Sequence, residues 1–277
     1  MKKNILIFFF SIIIVQVQAQ LVYPIVGSYN GKSAQGMVIY ENRAFVFNDG
    51  GRCRVLNLNT GKIEKEFLLG SAPLNPHVNT ACFGKEKPIS GNLPYMYVSE
   101  TRGQFRCFVE QLIVDSSLHV QTITAKVKGK PLQMKTWIVD IKNNFLYGIT
   151  RDYKKLNDKG EFRNTMYKLR LPKVSEGRDV VLTEKDIYEK YDLYFASGIQ
   201  GGKIKNNYLY LTTGREQTAE KRGDSKRAIY VIDLQNKRIK NVIDMTYITV
   251  NEPEDIDFYK GNILLFCGQN GGIYKVK

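Results

Sequence analysis

The sequence predicts an all-β fold, a five-bladed β-propeller of four-stranded antiparallel blades, and three observations carry that prediction. Short runs of alternating aromatic and β-branched residues open at Ala44, Tyr95, Phe145, Tyr208 and Ile263, and each is followed by a turn and a second apolar run. This is the pattern of paired strands. The intervals of 51, 50, 63 and 55 residues lie at or a little above the ~40–50 residues of known propeller repeats. Finally, the last repeat lacks a fourth strand, and an unassigned apolar run near the N-terminus can supply it.

The elements follow in chain order. Residues 1–20 read as an export signal: Lys2 and Lys3, an apolar stretch from Ile5 to Val15, then Val17-Gln18-Ala19 with cleavage after Ala19. The apolar stretch is well short of the ~20 residues that span a bilayer, so no membrane span is expected after signal cleavage. Residues 21–277 form a single propeller domain. Its first strand, Leu21 to Val26, contains Pro24, which is tolerated only where no ladder donor is needed, at an outermost edge.

Labelling strands A to D from the axis outward, blade one reads Gly36–Tyr40, Arg43–Phe47, Cys53–Leu58 and Ile63–Leu68, with Asn59 to Lys62 as the last turn. Later C strands are Phe105–Leu112, Thr165–Leu171, Ala228–Leu234 and Gly272 to the end. The N-terminal strand then completes blade five, and the closed ring leaves only short, protected edges. An open sandwich or a larger propeller with degenerate blades also suits the spacing, but neither explains one missing strand and one spare.

The chain carries 41 Lys and Arg against 27 Asp and Glu, a net charge of +14 that falls to about +12 without Lys2 and Lys3. No basic run concentrates this charge. For an exported protein, periplasmic or extracellular, such a field favours an acidic polysaccharide or an anionic surface over nucleic acid. Cys53, Cys82, Cys107 and Cys267 allow three full pairings. Lying in or beside strands, they read first as buried free thiols, and none sits at metal-ligand spacing. No metal and no other cofactor is expected, and a monomer is.

In a propeller the D-to-A and B-to-C loops share one face, here called the first. The A-to-B and C-to-D turns share the second, which is clipped short apart from Gly84 to Pro94. On the first face length accumulates at 70–76, 126–135, 152–164, 185–197 and 214–226, and long loops over a rigid ring are where function concentrates. The residues opening the A strands would ring the central funnel: Gln35, His77 and Asn79, Trp137 beside Lys135 and Thr136, Gln200, and Glu254 within Glu252 to Asp255. Arg102, Arg151 and Arg215 recur after strand B in three consecutive blades, with Arg52 near the matching place in blade one. Planar hydrogen-bonding groups, a stacking ring and guanidinium forks suit a glycan or another anionic small ligand. There is no phosphate-cradling glycine loop, nucleophile elbow or zinc-type histidine pair.

The Gln35 and Gln200 strand openings, His77-Val78-Asn79 and Glu252-Pro253-Glu254-Asp255 resemble those of uncharacterised exported β-propellers of gut-type bacteria. That resemblance implies the fold and carries no chemistry with it. The architecture is also similar to that of five-bladed furanoside-cleaving glycosidases, which place three carboxylates around the funnel; Glu254 or Asp255, with Asp49 and Glu100, would stand there. Two further readings remain open beside ligand binding. One is an enzyme on acidic polysaccharide, a lyase with His77 as base and Arg151 or Arg215 holding the uronate, or a glycosidase using Glu254. The other is a scaffold for a protein partner.

Overall fold

Alternation of apolar and polar side chains fixes which face of each strand is buried, and one-sided strands must stack against neighbours to hide that face. The computed structural model describes residues 18–24, 34–89, 91, 93–214, 226–246, 249, 251–268 and 272–277. They form a five-bladed β-propeller. β1 (Ala19–Tyr23) is the outermost strand of the last blade. Blade one is β2 (Ala34–Tyr40), β3 (Arg43–Asn48), β4 (Arg52–Asn57) and β5 (Ile63–Leu68). Blade two is β6 (Val78–Phe83), β7 (Met96–Glu100), β8 (Cys107–Ile113) and β9 (Ser116–Val127), whose end folds back as β10 (Lys130–Pro131). Blade three is β11 (Thr136–Asp140), β12 (Phe145–Leu156), β13 (Phe162–Arg170) and β15 (Ile187–Phe195). Between its last two strands, β14 (Asp179–Leu182) crosses to blade two and pairs with β9 in parallel. Blade four is β16 (Ile199–Lys205), β17 (Tyr208–Thr213), β18 (Ala228–Asp233) and β19 (Arg238–Asp244).

Blade five is β20 (Pro253–Tyr259), β21 (Asn262–Cys267) and β22 (Gly272–Val276), with β1 antiparallel to β22. The ring is therefore closed by both ends of the chain, as the missing and spare strands imply. The closing strand is shifted from the expected Leu21–Val26: it pairs Ala19 with Val276 and ends at Tyr23, before Pro24. Proline has no N–H for the ladder, so the strand stops short of it instead of carrying it at an edge. Residues 25 and 26 lie outside the described residues, as does most of the export signal.

Three of the expected first-face loops are strands. β12 and β13 extend one another through a hairpin whose turn is Asn157 to Glu161, the Asn157 Oδ1 accepting from the Lys159 and Glu161 amides at 3.0 and 2.9 Å. Cross-strand pairing of Arg163 with Asp152 at 2.9 Å supports it. Most of 185–197 is β15, and 126–135 holds the β9–β10 hairpin. Their high charge hides the strand period because these segments alternate charged outward residues with few buried ones.

The apolar cores lie between adjacent blades. All four cysteines are buried free thiols within them. The five inner strands converge closely around the axis. A Cβ on Gly36 would stand 1.9 Å from the Asn79 carbonyl oxygen, and one on Gly201 would stand 2.2 Å from Asp255 Oδ1. A polar layer spans this convergence. Asp255 Oδ2 accepts from the Met37 amide at 2.9 Å and the Thr80 hydroxyl at 2.8 Å, tying blade five to blades one and two. Asp257 Oδ2 accepts from the Ile39 amide at 2.7 Å and from Lys203 Nζ at 3.0 Å, tying in blade four. Burial raises the Asp255 carboxyl to about 8, against the pull of its hydrogen-bond donors.

Candidate functional site

The inner strands start at the first face, so their entry residues and the ends of the second strands meet there. Several of the residues picked out by sequence arrive with their chemistry already committed. Trp137 corrects the expectation of a stacking platform: it is 1% exposed within the core between blades. Its indole N–H donates to the Phe105 carbonyl at 3.0 Å, and its amide donates to Ser99 Oγ at 2.7 Å. Glu254 is also buried, under Gly268, and Gln35 is nearly so. Gln200 is half-buried and donates to the Gly214 carbonyl at 3.0 Å and to Glu252. Arg52 turns to the outer part of its blade, where it pairs with Glu66 at 2.8 Å. Arg215 lies outside the described residues.

Two of the carboxylates named for a glycosidase are likewise engaged. Asp255 belongs to the buried axial layer. Both oxygens of Glu100 accept from Arg106, at 2.7 Å from its terminal nitrogen and 2.9 Å from Nε, and the Arg106 amide adds a third bond at 3.1 Å.

What converges at the mouth is positive charge at the junction of blades two and three. Arg102 is exposed on the connection from β7 to β8, Lys135 immediately precedes β11, and Arg151 lies on β12. The Lys135 amide donates to the Ile149 carbonyl at 2.6 Å, which fixes it beside the strand carrying Arg151. Aromatic rings line the cluster: Lys135 Nζ lies 4.4 Å from the centre of Phe105 and 5.9 Å from that of Tyr153. The Arg151 guanidinium lies 4.9 Å from Tyr153 and 4.2 Å from Phe162. Cations over ring faces gain from the ring quadrupole, so these aromatics hold the charges in place. Partial burial pulls the Lys135 ammonium below its ordinary value, and repulsion from Arg102 and Arg151 adds to the shift. Among the described residues no carboxylate forms an ion pair with Arg102 or Lys135.

His77 lies next to this cluster. Its carbonyl accepts from the Thr101 amide at 3.1 Å, which ties it to the loop that bears Arg102. Burial lowers the imidazole pKa and Arg102 lowers it further, while Asp49 and Glu100 oppose them. Asn79, fully buried two residues on, donates from Nδ2 to the Lys135 carbonyl at 3.5 Å. The structure thus brings His77, Asn79, Arg102 and Arg151 together around a lysine that sequence reasoning noted only as a strand opener. Phe105, Tyr153 and Phe162 carried no signal beyond their aromatic character.

No protein-family model matches this chain, and no curated protein matches it. Among solved structures it is similar to a glutaminyl cyclase from Myxococcus xanthus, with a TM-score of 0.54 and 16% identity over 94% of this chain and 96% of that one. It is also similar to a protein of unknown function from Bacteroides thetaiotaomicron, with a TM-score of 0.49 and 10% identity over 94% of this chain and 76% of that one. At 16% identity the cyclase likeness establishes a shared fold, and the propeller is what the two chains have in common.

Proposed function

We propose that this protein is an exported β-propeller that binds an anionic ligand, an acidic glycan or another small anion, at the first-face junction of blades two and three. The observation that carries this reading is Lys135, a half-buried ammonium seated over Phe105 and near Tyr153, its pKa lowered by burial and by the charges of Arg102 and Arg151, with no ion-paired carboxylate among the described residues. Several other cations are paired within the chain, Arg43 with Glu64, Arg54 with Glu66, and Arg170 with Glu176 and Asp186. Like charges brought together destabilise the empty site, and an arriving anion relieves that repulsion while accepting forked bonds from Arg102 and Arg151. The test is a titration with oligogalacturonate at roughly 0.1 M and 1 M salt, where the Debye length falls from ~10 to ~3 Å. Binding that persists at high salt and weakens at least about tenfold in Lys135→Gln, a loss of ~1.4 kcal/mol, is the expected result. Binding that vanishes with salt and ignores the substitution would place the attraction in the protein's overall charge.

A second reading, a lyase on uronate polymers, draws on His77. Burial and Arg102 keep its imidazole neutral at pH 7, as a general base must be. Removal of the proton next to the carboxylate and expulsion of the adjacent glycosidic oxygen would give an unsaturated product. Ultraviolet absorbance growing in a mixture with uronate polymer, and abolished in His77→Ala, is the outcome that would favour turnover over binding.

A further inference from the structure

Beside the mouth, β12 departs from its partner. Asp152 pairs with Arg163 and Leu156 with Phe162, so the three residues Tyr153, Lys154 and Lys155 stand against none on β13. A bulge of this kind forfeits ladder bonds and re-aims side chains. This one is pinned: Asp152 Oδ1 accepts from the Lys154 amide at 3.0 Å while its Oδ2 accepts from Arg163 at 2.9 Å. The Tyr153 ring packs edge-on against Phe162, with ring centres 6.1 Å apart, and borders Lys135 and Arg151 of the mouth. Even so, 55% of the residue is open to solvent. Lys154 and Lys155 follow it in the chain toward the hairpin turn, both exposed and neither in an ion pair among the described residues. An open ring therefore stands between the cations of the mouth and two more cations on the hairpin.

That pattern selects the partner. One exposed lysine holds an anion weakly, so a row of them answers a partner that repeats its charge. The electron-rich face of the ring attracts the C–H face of a sugar. In a polyuronate every ring carries a carboxylate, so a unit stacked on Tyr153 has charged neighbours on either side. A bilayer is the poorer match, because the leading turn of the hairpin, Asn157 to Glu161, has no apolar side chain to insert. We propose, resting on the anion-binding reading above, that the partner is an acidic polysaccharide chain and that the bulged hairpin extends its site beyond the mouth. One carboxylate meets Lys135, the next sugar ring stacks on Tyr153, and later carboxylates meet Lys154 and Lys155. A single sugar acid uses only the first of these contacts.

The full chain, its folding checked by thermal melting, is titrated calorimetrically with monogalacturonate and with hexagalacturonate at ~0.1 M salt. The hexamer should bind at least about tenfold tighter, a difference of ~1.4 kcal/mol. Tyr153→Ala and the double variant Lys154→Gln/Lys155→Gln should each remove most of that gain, whereas Tyr153→Phe keeps it and the double variant leaves the monomer affinity unchanged. Lys62→Gln/Lys87→Gln, which removes the same charge from turns of the second face, should also keep the gain. A gain that survives in both hairpin variants, or that falls equally in the second-face variant, overturns this inference and leaves the anion-binding reading standing. Tighter binding to hexathymidylate or to phosphatidylglycerol vesicles than to the hexamer overturns the assignment of this surface to a glycan. Absence of affinity for both galacturonates overturns this inference and the anion-binding reading together.

Discussion

Lys203 and Lys135 belong to the same ring of inner strands and lie at two depths of it. Lys203 is buried at the axis. Burial there pulls its ammonium down, but Asp257, in direct contact at 3.0 Å, outweighs the effect, so that the pKa ends raised. Lys135 sits at the mouth, half-buried; burial lowers its pKa, and the nearest charges, Arg102 and Arg151, push it the same way. A buried charge is tolerated in a fold when it is paired and hydrogen-bonded. The axial lysine meets that condition from within the chain. The lysine of the mouth is steadied by ring faces and surrounded by like charge, an arrangement that a structural role does not call for and an anionic partner does.

The largest effect that would test this contrast is at the axis. Asp257→Leu strands the Lys203 ammonium and the Ile39 amide, and should cost about 3–5 kcal/mol in urea unfolding. Adding Lys203→Met to that variant should recover most of the loss, since an apolar pair of similar volume removes the stranded charge. A single variant as stable as the parent would show that the axial pair does not close the ring.

Asp255 gives the comparison a pH dependence. Its carboxyl is raised from the ordinary value of 3.8 to about 8 in the folded chain, first by burial. The native state therefore holds a proton that the unfolded state has released between about pH 4 and 8. The associated stability is fully present below pH 4 and is lost as pH rises through 8. Asp255→Asn should flatten that segment of a stability-versus-pH curve, and an unchanged slope would assign the dependence to other groups.

At the mouth the expected sign reverses and the size shrinks. Lys135→Gln removes a mutual repulsion that solvent partly screens, so it should leave the melting temperature unchanged or raise it by a degree or two, on the order of 0.5 kcal/mol. It should weaken salt-resistant anion binding at least about tenfold at the same time. Residues kept for function at some cost in stability behave in this way, whereas a clear loss of stability would make Lys135 a structural residue.

The parts of the fold that rest on local periodicity were legible in the sequence. The outer strand Ile63–Leu68 is found where alternation puts it, and the ring closes on the N-terminal strand because one strand was missing and one was spare. Where a strand ends or extends depended on less local matters. The β12–β13 hairpin is dense with charge, so its period is masked, and β14 leaves its own blade to pair with β9. The burial of Trp137 has no local signature, because it depends on a carbonyl supplied by Phe105 from the neighbouring blade. The recurrence of arginine after the second strands pointed to Arg102 and Arg151. The convergence of those two on Lys135, from segments about 30 and 15 residues away in the chain, is a product of the ring and has no signature in sequence. The same holds for the axial layer around Asp255.

His77 offers a direct reading of the mouth, because Arg102 is one of the causes that hold its imidazole pKa down. The chain has two histidines, and His119 lies on β9 at the outer part of blade two, bonded to Gln121 and Thr122, where it serves as an internal reference. The decisive measurement is an NMR titration of both imidazoles with and without saturating glucuronate. A carboxylate bound at Arg102 and Lys135 should raise the pKa of His77. Identical His77 titrations in the two samples, at a ligand concentration shown by calorimetry to saturate the protein, would mean that the anion binds elsewhere and that the cationic mouth is not the site.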